Sequence, residues 1–141
     1  MINPRQLIME RIGKDGCYFL SIVYLAETIK GKIIDAVQVY ANAVHAGWMY
    51  PDCFISNPDQ LLAYLTGGKW SVRKELATYR AQAGELIIQR WERREGMRTW
   101  AHFVVGDDAG QVIYDPYGES LTVRLGGIVS LRVFRDLDHV Q

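Results

Sequence analysis

Between Cys17 and Lys30 the apolar residues Tyr18, Phe19, Leu20, Ile22, Val23, Leu25, Ala26 and Ile29 fall on nearly every side of a helix. A helix of that kind has to be surrounded, so the chain must fold around this segment. It begins at Gly16 or Cys17, behind an Asp15-Gly16 pair suited to bending the chain and capping the helix, and Gly31 is its expected stop. The Cys17 thiol then sits in the first turn, in the positive field of the helix N-terminus and beside backbone N–H groups without intrahelical partners. Such a position favours thiolate over thiol, and the same N–H groups are placed to hold an oxyanion. A free cysteine is equally at home as a small buried hydrophobe, so the rest of the chain has to decide between nucleophile and filler.

Three further helices or strands could cover the central helix from the N-terminal half. From Lys32 to Ala46, Ile33, Val37, Tyr40, Ala41 and Val44 form one stripe and Asp35, Gln38, Asn42 and His45 the other, which predicts a surface helix. Trp48 to Cys53 reads as loop. Asn57-Pro58-Asp59-Gln60 starts a short helix with a cap, a first-turn proline and a glutamine three residues on; Leu61, Leu62 and Leu65 give its buried side, and Gly67-Gly68 ends it. Between Lys69 and Gly84 the strand-like Trp70 to Val72 competes with a helical pattern from Lys74 to Ala83, and the segment stays unassigned.

From Glu85 the pattern changes to strands: Glu85 to Arg93, Thr99 to Gly106, Gln111 to Asp115, Leu121 to Leu125 and Ile128 to Phe134. The intervening Glu95-Gly96, Asp107 to Gly110, Pro116-Tyr117-Gly118 and Gly126-Gly127 are short enough for hairpins, so the expectation is an antiparallel meander. Helices first and a sheet afterwards make an α+β fold, a single domain over residues 1–141 with N-terminal helices packed on a C-terminal antiparallel sheet.

Composition removes several function classes. Lys+Arg 16 against Asp+Glu 16 leaves no net field to draw a polyanion, and the charge run Arg90 to Arg98 is broken by Glu92 and Glu95, so no nucleic-acid partner is expected. Met1 to Gln6 lacks the apolar run of a signal peptide and no uncharged stretch is long enough to cross a bilayer, which predicts a cytoplasmic protein without a membrane partner. Cys17 and Cys53 make no disulfide framework, and no Cys or His pair has ligand spacing, so no metal is expected. No glycine-rich loop follows a strand, so no nucleotide cofactor is expected either.

A cysteine nucleophile needs a base, and the base needs a group to orient it. Of the three histidines, His45 lies on the solvent stripe of its helix and His139 in the tail, whereas His102 is inside the apolar strand Trp100 to Val105. If the following turn is centred between Asp108 and Ala109, Gly106 pairs with Gln111, Val104 with Ile113 and His102 with Asp115. Opposed residues share a sheet face with Cβ atoms ~5 Å apart, within reach of an imidazole–carboxylate hydrogen bond. An odd-numbered loop would slip the register by one and turn Asp115 to the other face. Pro116 holds Asp115 extended and ends the strand there. Trp100 and Tyr117 fall on the His102 face in this register, as substrate-lining residues or as ordinary core aromatics.

The Gly16-Cys17 helix start, Ala101-His102-Phe103-Val104-Val105 and Tyr114-Asp115-Pro116-Tyr117-Gly118 resemble the papain-like cysteine peptidases, in particular the bacteriocin-processing branch that cuts double-glycine leaders. The resemblance spans roughly residues 10–120 and implies a papain-like fold in which Cys17, His102 and Asp115 form a catalytic triad acting on a peptide or protein substrate through a thioester, with no cofactor. In that family a glutamine about five or six residues before the cysteine helps its N–H stabilise the oxyanion; here that window holds Arg11 and Ile12. The oxyanion donors then come from the Cys17 N–H with Gln6, Arg11 or Lys14, or the hole is incomplete. The expectation is a cysteine peptidase or related amide hydrolase; the alternatives are a catalytically impaired scaffold that binds a peptide or partner protein in the cleft, or another acyl transfer on the same residues.

Overall fold

The computed structural model describes residues 3–139, and α2, Cys17–Lys30, is the element around which they pack. Phe19, Ile22 and Ala26 are fully buried and Val23 and Leu25 nearly so. Each large apolar side chain taken from water in this way contributes roughly 1.5–3 kcal/mol before entropy is counted. Gly31 ends the helix in the left-handed conformation, at φ 67°, with its N–H on Glu27 O. Ahead of it lies a helix that the sequence reading did not anticipate, α1, Pro4–Asp15, capped by the Asn3 side chain through the Gln6 N–H and carrying proline in its first turn. Asp15 therefore closes α1 instead of capping α2. The capping position of α2 is Gly16, which has no side chain to offer.

The second predicted helix begins later than expected. Asp35, placed on its polar stripe, is its cap, accepting the Val37 and Gln38 N–H groups, and α3 runs Ala36–Ala46. Ile33 is left 94% exposed and Ala41 is also exposed, so the inner face is Val39, Tyr40 and Ala43. Next, α4, Pro58–Thr66, buries Leu61 and Leu62 as its pattern predicts, although Asn57 makes no side-chain capping bond. The unassigned segment resolves into strand β1, Trp70–Glu75, followed by irregular chain to Gly84.

Strands β2, Glu85–Glu95, β3, Arg98–Gly106, and β4, Val112–Tyr114, form two hairpins, and β5, Gly127–Asp136, returns to the other side of β2. The sheet is antiparallel throughout with order β1-β5-β2-β3-β4, so it is a meander only from β2 to β4. The expected strand Leu121 to Leu125 is instead a short helix, α5, Leu121–Leu125, capped by Ser120 through the Val123 N–H. Its alternation misleads because Leu121 and Leu125 are exposed and only Thr122 is buried.

One face of the sheet carries Ile88, Val105 and Phe134 into the helical core. The other carries Ile87, Leu131 and Val133 under a cover of Tyr79, Ala81 and Ile128. Five helices on an antiparallel sheet of five strands make an α+β fold. No helix among the described residues is long and apolar enough to cross a membrane.

Candidate active site

The site lies where β4 stops. Val105 pairs with Tyr114, the last residue of β4, so beyond it the edge of β3 at Phe103 meets no strand. The first turn of α2 takes the vacant place: Ser21 Oγ hydrogen-bonds Cys17 O at 2.8 Å and reaches Phe103 O at 3.5 Å, and the Tyr18 ring stacks on Phe103 with centroids 4.5 Å apart. These contacts bring Cys17 to the residue that follows His102.

Burial pushes the Cys17 thiol above its ordinary pKa; the N–H groups of Phe103, Tyr18 and Cys17 pull it down, and the Asp115 charge pushes it up again. The net direction corrects the expectation of a favoured thiolate. The helix N-terminus is present, but the sulfur is too far removed from water for the dipole to win.

His102 is 2% exposed, and its Nε2 lies 2.7 Å from Asp115 Oδ1. An ionised carboxylate only accepts hydrogen bonds, so Nε2 carries a proton, and in the neutral imidazole Nδ1 is the free acceptor. That Nδ1 is buried and has no hydrogen-bond partner, from Cys17 or from any other described residue. Asp115 also accepts the Tyr117 N–H at 2.9 Å on Oδ1 and the Ser120 N–H at 3.2 Å on Oδ2. Burial alone would raise its pKa, but the bonds from His102, Tyr117 and Ser120 outweigh it and hold Asp115 below the ordinary carboxylate range.

The carboxylate arrives by a register other than the one expected. Asp107 N–H bonds Gln111 O and Gly106 pairs with Val112, a one-residue slip relative to the Gly106–Gln111 pairing. A bulge between Val105 and Gly106 then slips the strands by one more, so that Val105 faces Tyr114. Two slips of one restore the original face, because side chains alternate with period two. Asp115 thus reaches His102 from the turn beyond β4, where Gly118 N–H closes on Asp115 O at 2.9 Å.

Tyr117 stacks on the His102 ring, centroids 4.5 Å apart and planes 20° from parallel, and its hydroxyl donates to Lys14 O at 3.0 Å. Trp100 is held under the guanidinium groups of Arg98 and Arg93, 3.6 and 5.1 Å from its ring centroid. Neither aromatic lines the cavity that opens beside the cysteine. That cavity, about 690 Å³, runs from Cys17 and Tyr18 past Phe103 and Arg132 to the 52–58 loop.

Among the proposed oxyanion donors, Gln6 is in the first turn of α1, which at 1.5 Å per residue puts it roughly 15 Å along the helix from Gly16. Arg11 faces Asp15 at 3.7 Å, and Lys14 contributes its carbonyl to Tyr117. What the structure leaves open at the cavity mouth is the first turn of α2, whose N–H groups find no acceptor in the side-chain-less Gly16.

Cys53, read only as loop, lines the same cavity; it is 4% exposed, adopts φ 68°, and burial, followed by the Asp15 charge, pushes its thiol up to about 11. Ser120 was legible only in hindsight, as a capping residue two places after Gly118. Both cysteines are free thiols. Among the described residues no three His, Cys, Asp or Glu side chains converge as metal ligands. No curated protein and no solved structure matches this chain. The sequence profile described as "Protein of unknown function, DUF261" matches residues 2–136, and the chain belongs to that family.

Proposed function

We propose that this protein is a cysteine hydrolase of papain-like design, cutting a peptide or related amide bond with Cys17 as nucleophile, His102 as general base and acid, and Asp115 as the group that orients His102. The observation that carries the reading is the unpartnered, buried Nδ1 of a histidine whose other nitrogen is bound to a carboxylate. A buried ring nitrogen left unsatisfied costs about 1–3 kcal/mol, and a proton-transfer role explains why it persists. The helix that carries a cysteine at its N-terminus and lies against the histidine strand of an antiparallel sheet fits the papain-like arrangement.

In this mechanism Cys17 Sγ attacks the substrate carbonyl while its proton passes to His102 Nδ1. The N–H groups at the start of α2, that of Cys17 first, hold the oxyanion. His102 returns the proton to the leaving amine as the C–N bond breaks, leaving a thioester; water, losing a proton to Nδ1, then attacks the thioester and releases the acid and the free thiol. The raised pKa of Cys17 favours a neutral thiol in the resting state, deprotonated as it attacks.

A second reading is a binding domain that has lost hydrolysis, and it is favoured by the position of Gln6 far down α1. Removing one oxyanion donor costs about 100- to 1000-fold in rate, so the chemistry expected here is slow unless the α2 turn supplies both donors. Incubation with an activated p-nitrophenyl ester separates the two readings. Acylation of Cys17 seen by intact mass, absent in Cys17→Ala and strongly slowed in His102→Ala, supports hydrolysis; no acyl adduct on the wild-type protein sinks it.

A further inference from the structure

The cavity beside Cys17 has two walls of opposite charge, acidic on the helical side and cationic on the sheet side. On the helical side, Asp15 faces Arg11 at 3.7 Å and Asp52 accepts the Phe54 N–H at 3.0 Å. On the sheet side stand Lys74 of β1 and Arg132 of β5, directly opposed in the β1–β5 pairing. Like charges facing each other across two strands repel and weaken the pair. Arg90 of β2, whose partner Ser130 is two residues from Arg132, adds a third cation to the row, but its charge is taken by Glu92.

Among the described residues no carboxylate lies within ion-pair distance of Arg132 or Lys74. Arg132 is half-buried, with one terminal nitrogen, Nη1, on Ser130 Oγ at 3.0 Å and Leu131 O at 3.3 Å and its guanidinium 5.6 Å from the Phe103 centroid. Its second terminal nitrogen faces no acceptor among the described residues. A guanidinium is a planar fork matched to a carboxylate, and burying one without a counter-charge is costly unless a ligand supplies it.

We infer that Arg132, supported by Lys74, is a specificity residue that receives a carboxylate of the substrate while the scissile carbonyl lies at Cys17. The assignment rests on the hydrolase reading for what the carboxylate belongs to, an acidic side chain or a chain terminus. Neutral peptides fill the apolar part of the cleft, at Phe54, Ile55 and Val72, and leave the cationic wall unanswered.

Equilibrium dialysis of the Cys17→Ala protein tests this with three pools of N-acetylated hexapeptides: one with an internal Glu and an amidated end, one with Gln in its place, and one with Gln and a free C-terminal carboxylate. The Glu pool or the free-acid pool is retained about tenfold over the neutral pool, the size expected for a charge-assisted bond; which of the two is retained identifies the source. Adding Arg132→Gln abolishes the preference, Lys74→Gln lowers it, and Arg124→Gln, on the exposed side of α5, leaves it intact. Equal retention of the three pools, retention of none, or a preference that survives Arg132→Gln overturns the inference. Because Cys17→Ala performs no chemistry, a wild-type protein that fails to be acylated would sink the hydrolase reading without touching this result.

Discussion

Tyr117 lies flat on the His102 imidazole and ties it to the end of α1, through the bond from its hydroxyl to Lys14 O. Sheet and N-terminal helix are thereby joined directly over the histidine. The ring and the hydroxyl have separable consequences. Tyr117→Phe keeps the stack and loses one hydrogen bond, so stability falls by about 0.5–1.5 kcal/mol with kcat within a few-fold of wild type. Tyr117→Ala exposes His102 to water and lowers kcat much further. Urea unfolding beside ester turnover measures both; equal losses of activity in the two variants would refute the stacking role.

Asp115→Asn keeps the shape of the turn and removes the charge that fixes the His102 tautomer. The amide presents either a donor or an acceptor to Nε2, and the wrong imidazole tautomer would leave Nδ1 protonated. A drop of about 1,000- to 10,000-fold in kcat is expected, by analogy with what such substitutions do in other triads. Acylation kinetics check it, with far-ultraviolet circular dichroism to show that the fold persists.

Glu85 contributes to stability toward acid. Its side chain is fully buried, bonded to Tyr79 Oη at 2.5 Å, Arg73 at 2.9 Å and the Gln82 N–H at 2.9 Å. Burial alone would raise its pKa, but those three partners together bring it below the ordinary carboxylate value. The unfolded chain then binds the proton more tightly than the folded one, so the stabilisation is complete above the unfolded pKa near 4.3 and is lost as pH falls through the lower folded value. Glu85→Gln flattens that acid limb while lowering stability at neutral pH. Urea midpoints between about pH 2 and 7 show both effects.

Cys17 and Cys53 should separate on alkylation. Both thiols are raised by burial, but Cys53 reaches about 11 and is almost sealed, whereas Cys17 opens on the cavity. Iodoacetamide mapped by peptide mass modifies Cys17 first, at a rate that climbs with pH into the alkaline range, with Cys53 at least about tenfold slower. Equal rates, or a Cys17 rate already maximal at pH 6, would contradict the buried neutral thiol.

Gly16→Ala places a Cβ 2.5 Å from Ile12 O, a backbone atom that cannot swing aside. The α1–α2 junction must open, moving Cys17 relative to His102. A loss of about 1–3 kcal/mol is expected, the usual cost of forcing atoms into filled space, together with slower acylation. The urea midpoint and the ester assay report the two.

Helices α2 and α4 and the long strands were readable because their signals are local: the all-round apolar face of α2, the proline start of α4 and the β-branched runs of β2 and β5 need no knowledge of neighbours. The His102–Asp115 contact was legible for a partly wrong reason, since an odd loop and a bulge compensate and neither has an unambiguous sequence mark. α1 was missed because its pattern is weak, with Ile12 its one buried residue. α5 was missed because alternating exposed leucines imitate a strand. The raised Cys17 pKa was invisible, as a helix position reports the dipole but not the depth of burial. Tyr117 was placed on the correct face, while its partner, a backbone carbonyl 103 residues away, has no sequence signature.

The early end of β4 also bears on how the molecule comes together. The edge it vacates is filled from the opposite end of the chain, through Ser21 to Phe103 across 82 residues and Tyr117 to Lys14 across 103. Contacts of such sequence separation carry a larger loop-closure cost than local ones. During synthesis α2 emerges long before the hairpin that completes its surroundings, so a nascent chain carries Cys17 without His102 or Asp115 until residue 117 has cleared the ribosome. On the hydrolase reading, acylation by the activated ester is therefore expected only once the sheet is complete, whereas alkylation of Cys17 slows on folding as burial raises its thiol pKa.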